Sequence, residues 1–91
     1  MNEFKELTDA LLKFRNERDW EKFHNPKDLA LAINVEAGEL LELFLWKKAE
    51  EADAEKIKEE LADVLAFALL LADKYQLDVK SIVLDKIRRN G

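Results

Sequence analysis

Two pairs of acidic residues interrupt the apolar pattern of this chain. They are Glu36-x-x-Glu39 and Glu60-x-x-Asp63. Glu36 and Glu60 each stand at a core position in a stripe of aliphatic residues spaced for a helix. An unpaired buried carboxylate costs several kcal/mol, so such groups are usually neutralised, paired with a base or bound to a metal. Four acids without a nearby basic residue favour the metal.

The helices that carry the two pairs predict that the four carboxylates meet. If residues 29–48 and 53–75 form an antiparallel hairpin, any two opposed residues have numbers that sum to roughly 99. Glu36 then lies opposite Asp63, and Glu39 lies opposite Glu60. Residues three apart share a helix face, so each pair points both carboxylates the same way. Oxygen ligands of this kind suit Mg²⁺, with Mn²⁺ as a substitute, and leave room for more than one ion.

Composition indicates one all-α domain over residues 1–91. The chain has two Gly and one Pro, and 48% hydrophobic residues beside 38% charged residues, which is typical of helices with strongly partitioned faces. The absence of Cys excludes disulfides and zinc-thiolate sites. A net charge of −5 argues against a nucleic-acid polymer as partner. No signal peptide and no apolar run of about 20 residues is present, so we expect a cytoplasmic protein without membrane contact.

Four helices are predicted from apolar spacing and capping residues. The first contains the stripe Phe4, Leu7, Leu11 and Phe14 and ends near Arg18; the second begins at Asn25-Pro26 and ends at Lys47 and Lys48; the third begins near Asp53; the fourth runs from Asp78 to about Arg89.

The third helix predicts an assembly. Val64 to Ala72 are nine consecutive apolar residues, so this helix must be covered on every side. The other helices of a chain of this length cannot cover the third helix on all sides. We therefore expect a four-helix bundle that completes its core by homo-oligomerisation, as a tetramer in preference to a dimer.

Several motifs together resemble a known family. They are Trp20-x-x-Phe23-His24-x-Pro26-Lys27, the two acidic pairs with their flanking residues up to Trp46, and Lys86-x-x-x-Asn90. In this combination the chain resembles the MazG-like all-α nucleoside triphosphate pyrophosphohydrolases, and within them the dCTP pyrophosphatase branch. The resemblance covers about Trp20 to Asn90.

The resemblance implies Mg²⁺-dependent hydrolysis of a (deoxy)nucleoside triphosphate, such as dCTP or a modified dNTP, to the monophosphate and pyrophosphate. By similarity Glu36, Glu39, Glu60 and Asp63 hold the metal, and one carboxylate, Glu39 or Glu36, also orients the attacking water. The substrate-binding residues implied are Trp20, Trp46, Phe67, Lys86 and Asn90. Trp46 lies seven residues after Glu39, which on a continuous helix is the same face two turns on. Phe67 stands where the dCTP branch often has Tyr.

Other functions remain open at this point. A phosphoribosyl-ATP pyrophosphatase shares the metal-site pattern, although the aromatic segment and Trp46 argue against it. A non-enzymatic helical module that oligomerises would show no stabilisation by metal. A di-iron carboxylate bundle is disfavoured because the chain has no Glu-x-x-His.

Overall fold

The computed structural model describes residues 3–18 and 25–91, and these ranges contain helices and no strand. The helices are α1 (Glu3–Glu17), α2 (Pro26–Glu42), α3 (Ala54–Lys74) and α4 (Val79–Asn90), with a 3₁₀ turn at Ala49–Glu51 between α2 and α3. The predicted all-α class and the four helices are therefore confirmed for the described part of the chain.

Side-chain caps fix where three of the helices begin. Asn25 Oδ1 accepts a hydrogen bond from the Asp28 backbone N–H at 2.9 Å, and Pro26 occupies the first turn of α2, where its missing N–H costs nothing. Asp53 Oδ1 accepts from the Glu55 N–H at 3.0 Å at the start of α3. Asp78 Oδ2 accepts from the Ser81 N–H at 2.9 Å at the start of α4. The starts predicted from these capping residues are confirmed.

The second helix ends earlier than predicted. Its last residue is Glu42, and the expected end at Lys47 and Lys48 is wrong. Beyond Glu42 the backbone tightens into i→i−3 hydrogen bonds, such as Phe44 N–H to the Leu41 carbonyl at 2.9 Å. Trp46 then adopts a positive φ of 65°, a left-handed conformation that no α-helix contains. The sequence did not predict this helix end, because the apolar spacing continues through Phe44 and Leu45.

The core lies where α3 packs against α2 and, less extensively, against α1. The buried apolar side chains of the described residues are Leu29, Leu69, Leu70 and Ala72. No residue of α4 is buried. The radius of gyration is 15.0 Å, whereas a compact chain of this length has about 12 Å. The protomer is therefore an open arrangement in which α2 and α3 form the closely packed part.

The apolar run of α3 is only partly covered within one chain. Leu69 and Leu70 are buried, but Leu65 is 55% exposed and Ala68 is also exposed. The expectation that this run is covered on every side is thus not met by a single copy. None of the described helices is long and apolar enough to span a membrane.

Candidate metal centre

The paired helices α2 and α3 bring acidic side chains from both predicted pairs to one place. Glu36 of α2 and Glu60 and Asp63 of α3 each offer a carboxylate oxygen, and these oxygens lie within 4.8 Å of one another. Glu36 and Glu60 are half-buried, and Asp63 and Glu39 are exposed. Glu39 is the fourth acid of the cluster, since its carboxyl group is close enough to Glu36 and Glu60 to affect the pKa of both. We call these four residues the acidic cluster.

The deepest atoms of the acidic cluster lack hydrogen-bond donors. Glu36 Oε2 and Glu60 Oε2 are buried and accept no hydrogen bond from the described residues. No lysine or arginine of the described ranges forms an ion pair with any of the four acids. Buried carboxylate oxygens are costly without a donor or a cation. The cluster therefore has the unsatisfied oxygen ligands that a cation site requires.

Crowding of the carboxyl groups changes their protonation. Burial is the largest cause that raises the pKa of Glu36 to about 7, and the neighbouring carboxyl groups of Glu39, Glu60 and Asp63 add to it. Burial also raises the pKa of Glu60, and repulsion from Glu39 and Asp63 acts in the same direction, against a hydrogen bond with Glu36 that lowers it. Carboxyl groups can hydrogen-bond each other only by sharing a proton. Without a cation, the folded chain therefore holds protons in this cluster at a pH where isolated glutamates are ionised.

The donor set fits a hard divalent cation. All available ligands are carboxylate oxygens, and the described part of the cluster contains neither His nor a sulfur ligand. Such sites suit Mg²⁺ or Mn²⁺ better than Zn²⁺ or copper. The fit rests on the two donorless buried oxygens and on the convergence of acids from two helices. The metal-binding role of the four residues remains a prediction.

An apolar pocket opens beside the acidic cluster. It lies between α1 and α3, has a volume of about 500 Å³, and includes Asp63 and Phe67 in its lining. The wall on the α1 side contains Leu11 and Phe14 of the predicted apolar stripe, and Arg15, which the sequence pattern did not indicate. A usable signal was the position of Arg15, four residues after Leu11, on the apolar side of its helix. We call this cavity the α1–α3 pocket.

The other predicted substrate residues lie elsewhere. Trp46 follows the end of α2 and is 100% exposed, so the expectation that it continues the helical face of Glu39 is wrong. Lys86 and Asn90 lie one turn apart on α4, as predicted, in a shallow depression lined by α4 residues. That depression includes no member of the acidic cluster. Trp20 lies outside the described residues.

Comparison with known proteins gives a consistent result. The chain is 41% identical over 86 residues to dCTP pyrophosphatase 1 of Bos taurus and to that of Homo sapiens, with 86% of this chain and 51% of each relative covered. It therefore spans about half the length of these relatives. The crystal structure of a pyrophosphatase from Archaeoglobus fulgidus DSM 4304 matches with a TM-score of 0.90 at 36% identity, covering 99% of this chain and 90% of that one.

The family match itself covers most of the described helices. The MazG-like family pattern fits residues 31–91, which include α3, α4, most of α2 and all four acids of the cluster. The chain belongs to the MazG-like family.

Proposed function

We propose that this protein is a divalent-metal-dependent nucleoside triphosphate pyrophosphohydrolase, which converts a (deoxy)nucleoside triphosphate and water to the monophosphate and pyrophosphate. The observation that carries the proposal is the convergence of Glu36, Glu60 and Asp63, with two buried oxygens that have no donor. The similarity to dCTP pyrophosphatases and to an archaeal pyrophosphatase supports the same reaction class.

The residues of the acidic cluster have distinct roles in this proposal. Glu36, Glu60 and Asp63 hold Mg²⁺, for which Mn²⁺ can substitute, and Glu39 completes the set. When bound, the cation supplies charge neutralisation at the phosphates and lowers the pKa of a coordinated water. We assign Glu39 to accept a hydrogen bond from the attacking water, because it is the more exposed glutamate of its pair. Glu36, which is half-buried, shares this orienting role in the proposal.

The remaining predicted ligand residues stay part of the proposal. Lys86 and Asn90 present an ammonium and an amide one turn apart, which suits a phosphate and a sugar or base. Trp46 and Trp20 offer indole faces for base stacking. The fully exposed indole of Trp46 supports this role, because a side chain without packing partners in its own chain is available for a ligand or a second copy.

We also propose that the active form is a homo-oligomer, a tetramer in preference to a dimer. The protomer exposes 7196 Å² of surface, whereas a compact monomer of 10.6 kDa exposes about 5,500 Å². The excess of roughly 1,700 Å² per chain exceeds the ~800 Å² per partner of a standard interface and falls in the range of permanent assemblies. Leu65 of α3 and Ile87 of α4, which are 55% and 60% exposed, belong to the surface we expect to be covered.

A product assay tests the proposed reaction. The purified chain with Mg²⁺ is incubated with a panel of dNTPs, and the products are separated by ion-exchange chromatography. We expect monophosphate and pyrophosphate in equal amounts and no turnover after chelation of the metal. Phosphoribosyl-ATP is included in the panel, and its preferential cleavage would replace the proposed substrate. If no nucleotide is cleaved and Mg²⁺ leaves the melting temperature unchanged, the chain is a non-enzymatic helical module.

A further inference from the structure

We infer that α2 of this chain pairs antiparallel with α2 of a second copy, and that the two helices cross at Gly38 on a two-fold axis. The face of α2 that forms this contact is turned away from the acidic cluster. The inference extends the proposed homo-oligomer by naming one of its interfaces, and it rests on that assembly and not on the proposed reaction.

Helix α2 has two faces that differ in how they are covered. One face contains Leu29, which is 1% exposed, and the half-buried Glu36, whose carboxylate meets the acids of α3. Gly38 lies about 160° to 180° around the helix from these two residues, on the opposite face. We call this opposite face the Gly38 face. Its members lie within about 60° of Gly38 on α2 and are all exposed: Leu31, Asn34, Val35, Gly38, Leu41 and Glu42.

The Gly38 face is largely apolar although it is exposed in the protomer. Leu31 is 59% exposed and Leu41 is 61% exposed, and Val35 between them is exposed as well. Leu45, one 3₁₀ turn beyond the end of α2, lies on the same side and is also exposed. Exposed aliphatic side chains that are grouped on one side of a helix mark a contact surface, whereas singly scattered ones do not.

The glycine at the centre of this face has no use in the described fold of its own chain. Gly38 is an interior residue of α2, where glycine destabilises a helix relative to alanine. Its φ is not positive, and nothing in the described chain lies within 4 Å of a Cβ atom placed on it. Glycine at this position permits another helix backbone to approach closely. The centre of the Gly38 face is therefore suited to a helix crossing.

The apolar residues of the face are arranged symmetrically about Gly38. In an antiparallel pair of identical helices that cross at one residue, positions at equal distances before and after that residue face each other. Val35 stands three residues before Gly38, and Leu41 stands three residues after it. Leu31 and Leu45 stand seven residues to either side. Each exposed aliphatic residue of one copy would thus meet an exposed aliphatic residue of the other.

The polar residues of the face follow the same symmetry. Asn34 and Glu42 stand four residues to either side of Gly38, which places an amide donor of one copy opposite a carboxylate acceptor of the other. A two-fold contact uses the same surface on both subunits, so that surface has to be complementary to itself. The pattern about Gly38 meets this condition, and it favours a second copy of the chain over an unrelated protein as the partner.

The exposed surface of the protomer is large enough for this interface and another. The excess over a compact monomer, roughly 1,700 Å² per chain, equals about two standard interfaces of ~800 Å² per partner. A tetramer of dihedral symmetry gives each chain at least two different interfaces. The Gly38 face and the exposed surface of α4 lie on different helices and account for two such interfaces.

Cross-linking through introduced cysteines tests the register. The chain contains no Cys, so added thiols are the only ones present. In the double variant Val35→Cys/Leu41→Cys each thiol faces a thiol of the second copy, and mild oxidation should give a covalent dimer on a non-reducing gel. In either single variant the two thiols of a dimer lie about 9 Å apart along the helix axes, beyond the ~7 Å that a disulfide spans between Cα atoms. We expect the double variant to cross-link at least about tenfold faster than either single variant.

A second pair on the same face is the matched control. Leu31→Cys/Leu41→Cys also places two thiols on the Gly38 face but misaligns them by about 6 Å, so it should cross-link no faster than the single variants. Absence of a covalent dimer in Val35→Cys/Leu41→Cys would overturn the inference. Equally fast cross-linking of Val35→Cys alone would also overturn it, because that result requires a different register.

A substitution at the crossing point tests the close approach of the two helices. On a free helix surface Gly38→Ala would raise the melting temperature, because alanine is the better helix former. At a close crossing the added methyl group forces the helices apart, so we expect the dissociation constant between copies to rise at least about tenfold. Sedimentation over a dilution series measures this constant, and circular dichroism checks that helical content is retained. A Gly38→Ala protein with unchanged assembly and a higher melting temperature would overturn the inference.

Neither test uses catalytic activity, since Gly38 stands between Glu36 and Glu39 in the sequence. Failure of the unmodified chain to hydrolyse any dNTP with Mg²⁺ or Mn²⁺ would contradict the proposed reaction and leave this interface standing. Loss of the expected cross-link in a protein that still hydrolyses dNTP would overturn the interface alone.

Discussion

Helices α3 and α4 both begin at an aspartate cap, yet their packing differs. α3 contacts α2 along the hairpin and contains three of the four buried residues of the described chain. α4 buries none of its residues, although it has aliphatic side chains at Ile82, Val83, Leu84 and Ile87. The predicted site residues therefore fall into two groups. The acidic cluster on α2 and α3 is held together by packing within the chain, whereas the positions of Lys86 and Asn90 depend on what covers α4.

The same contrast explains why the acids converge and the other ligands do not. Glu36 and Asp63 are brought together by packing within the hairpin. Lys86 and Asn90 lie on a helix without extensive contacts to α1–α3 in the described part of the chain. Cation binding is therefore expected to survive in an isolated protomer, and nucleotide affinity is expected to need the assembly.

The largest expected effect on activity comes from removing one predicted metal-binding carboxylate of the α2–α3 hairpin. Glu36→Gln or Glu60→Gln keeps the side-chain volume and removes the charge, so helical content should be retained while turnover falls about a thousandfold, equivalent to ~4 kcal/mol at the transition state. Steady-state kinetics and circular dichroism measure the two quantities. Glu59→Gln, on the exposed side of the same helix, is the control and should keep its activity. Near-normal rates in both cluster variants would refute the metal site.

The next effect concerns α4. Ile87 is 60% exposed in the protomer, and Ile87→Lys would place a charge in the surface that we expect a second copy to cover. Light scattering should then show a smaller species, with activity reduced at least about tenfold and Mg²⁺ still stabilising the chain. Ile87→Leu keeps an apolar side chain and should retain the mass of the unmodified protein. A monomeric unmodified protein with full activity would contradict the contrast drawn between the two helices.

The sequence predicted the hairpin part of the site better than the rest. The register of two amphipathic helices follows from local spacing, and this is why the meeting of Glu36 with Asp63 could be expected. The end of α2 was not predictable from spacing, because Trp46 in a left-handed conformation has no Gly or Pro signal. The α1–α3 pocket was missed for another reason. It depends on how two helices distant in sequence pack, which no single-helix pattern contains.

Trp46 lies in the segment between α2 and α3, and its substitution tests whether the indole contacts the nucleotide or a second copy of the chain. The side chain is fully exposed, so Trp46→Ala should leave the denaturant midpoint of the protomer nearly unchanged. If the indole stacks on the base, KM should rise by a factor that corresponds to ~1 to 3 kcal/mol. If it instead joins the interface of an oligomer, dissociation at low protein concentration should increase while KM at high concentration stays the same. Kinetics at two protein concentrations distinguish these results.

The pKa of Glu36 predicts an unusual dependence of stability on pH in the metal-free protein. Because burial and neighbouring acids raise this pKa from 4.5 to about 7, the folded chain binds more protons than the unfolded chain between these values. The stabilisation that Glu36 contributes is therefore fully present below its unfolded pKa of 4.5. It is lost as the pH rises through the folded pKa of about 7. With chelator, the melting temperature should fall between about pH 5 and about pH 8. With saturating Mg²⁺, the melting temperature should instead rise with pH over this range. A melting temperature that does not change with pH in the presence of chelator would contradict the crowding of the four carboxyl groups.

The smallest expected effect is at the connection between α3 and α4. Gln76 has a φ of 52°, with the Leu77 N–H bonded to the Ala72 carbonyl at 2.9 Å and the Gln76 N–H bonded to the Asp73 carbonyl at 3.0 Å. This is the Schellman geometry, in which glycine is the usual residue. Gln76→Gly removes a left-handed side-chain penalty of ~1 kcal/mol, although the added freedom of the unfolded chain offsets part of it.

We therefore expect Gln76→Gly to raise the melting temperature by a few degrees, about 4 to 8 °C for each kcal/mol gained, and to leave kcat unchanged. Lys74→Gly is the matched control, because it places the same residue at the last helical position of α3, where it should lower stability by up to ~1 kcal/mol. If Gln76→Gly destabilises the protein, the side chain of Gln76 itself holds α4 in place. The connection would then be part of what positions Lys86 and Asn90, and α4 would be less dependent on a second copy than its exposed surface indicates.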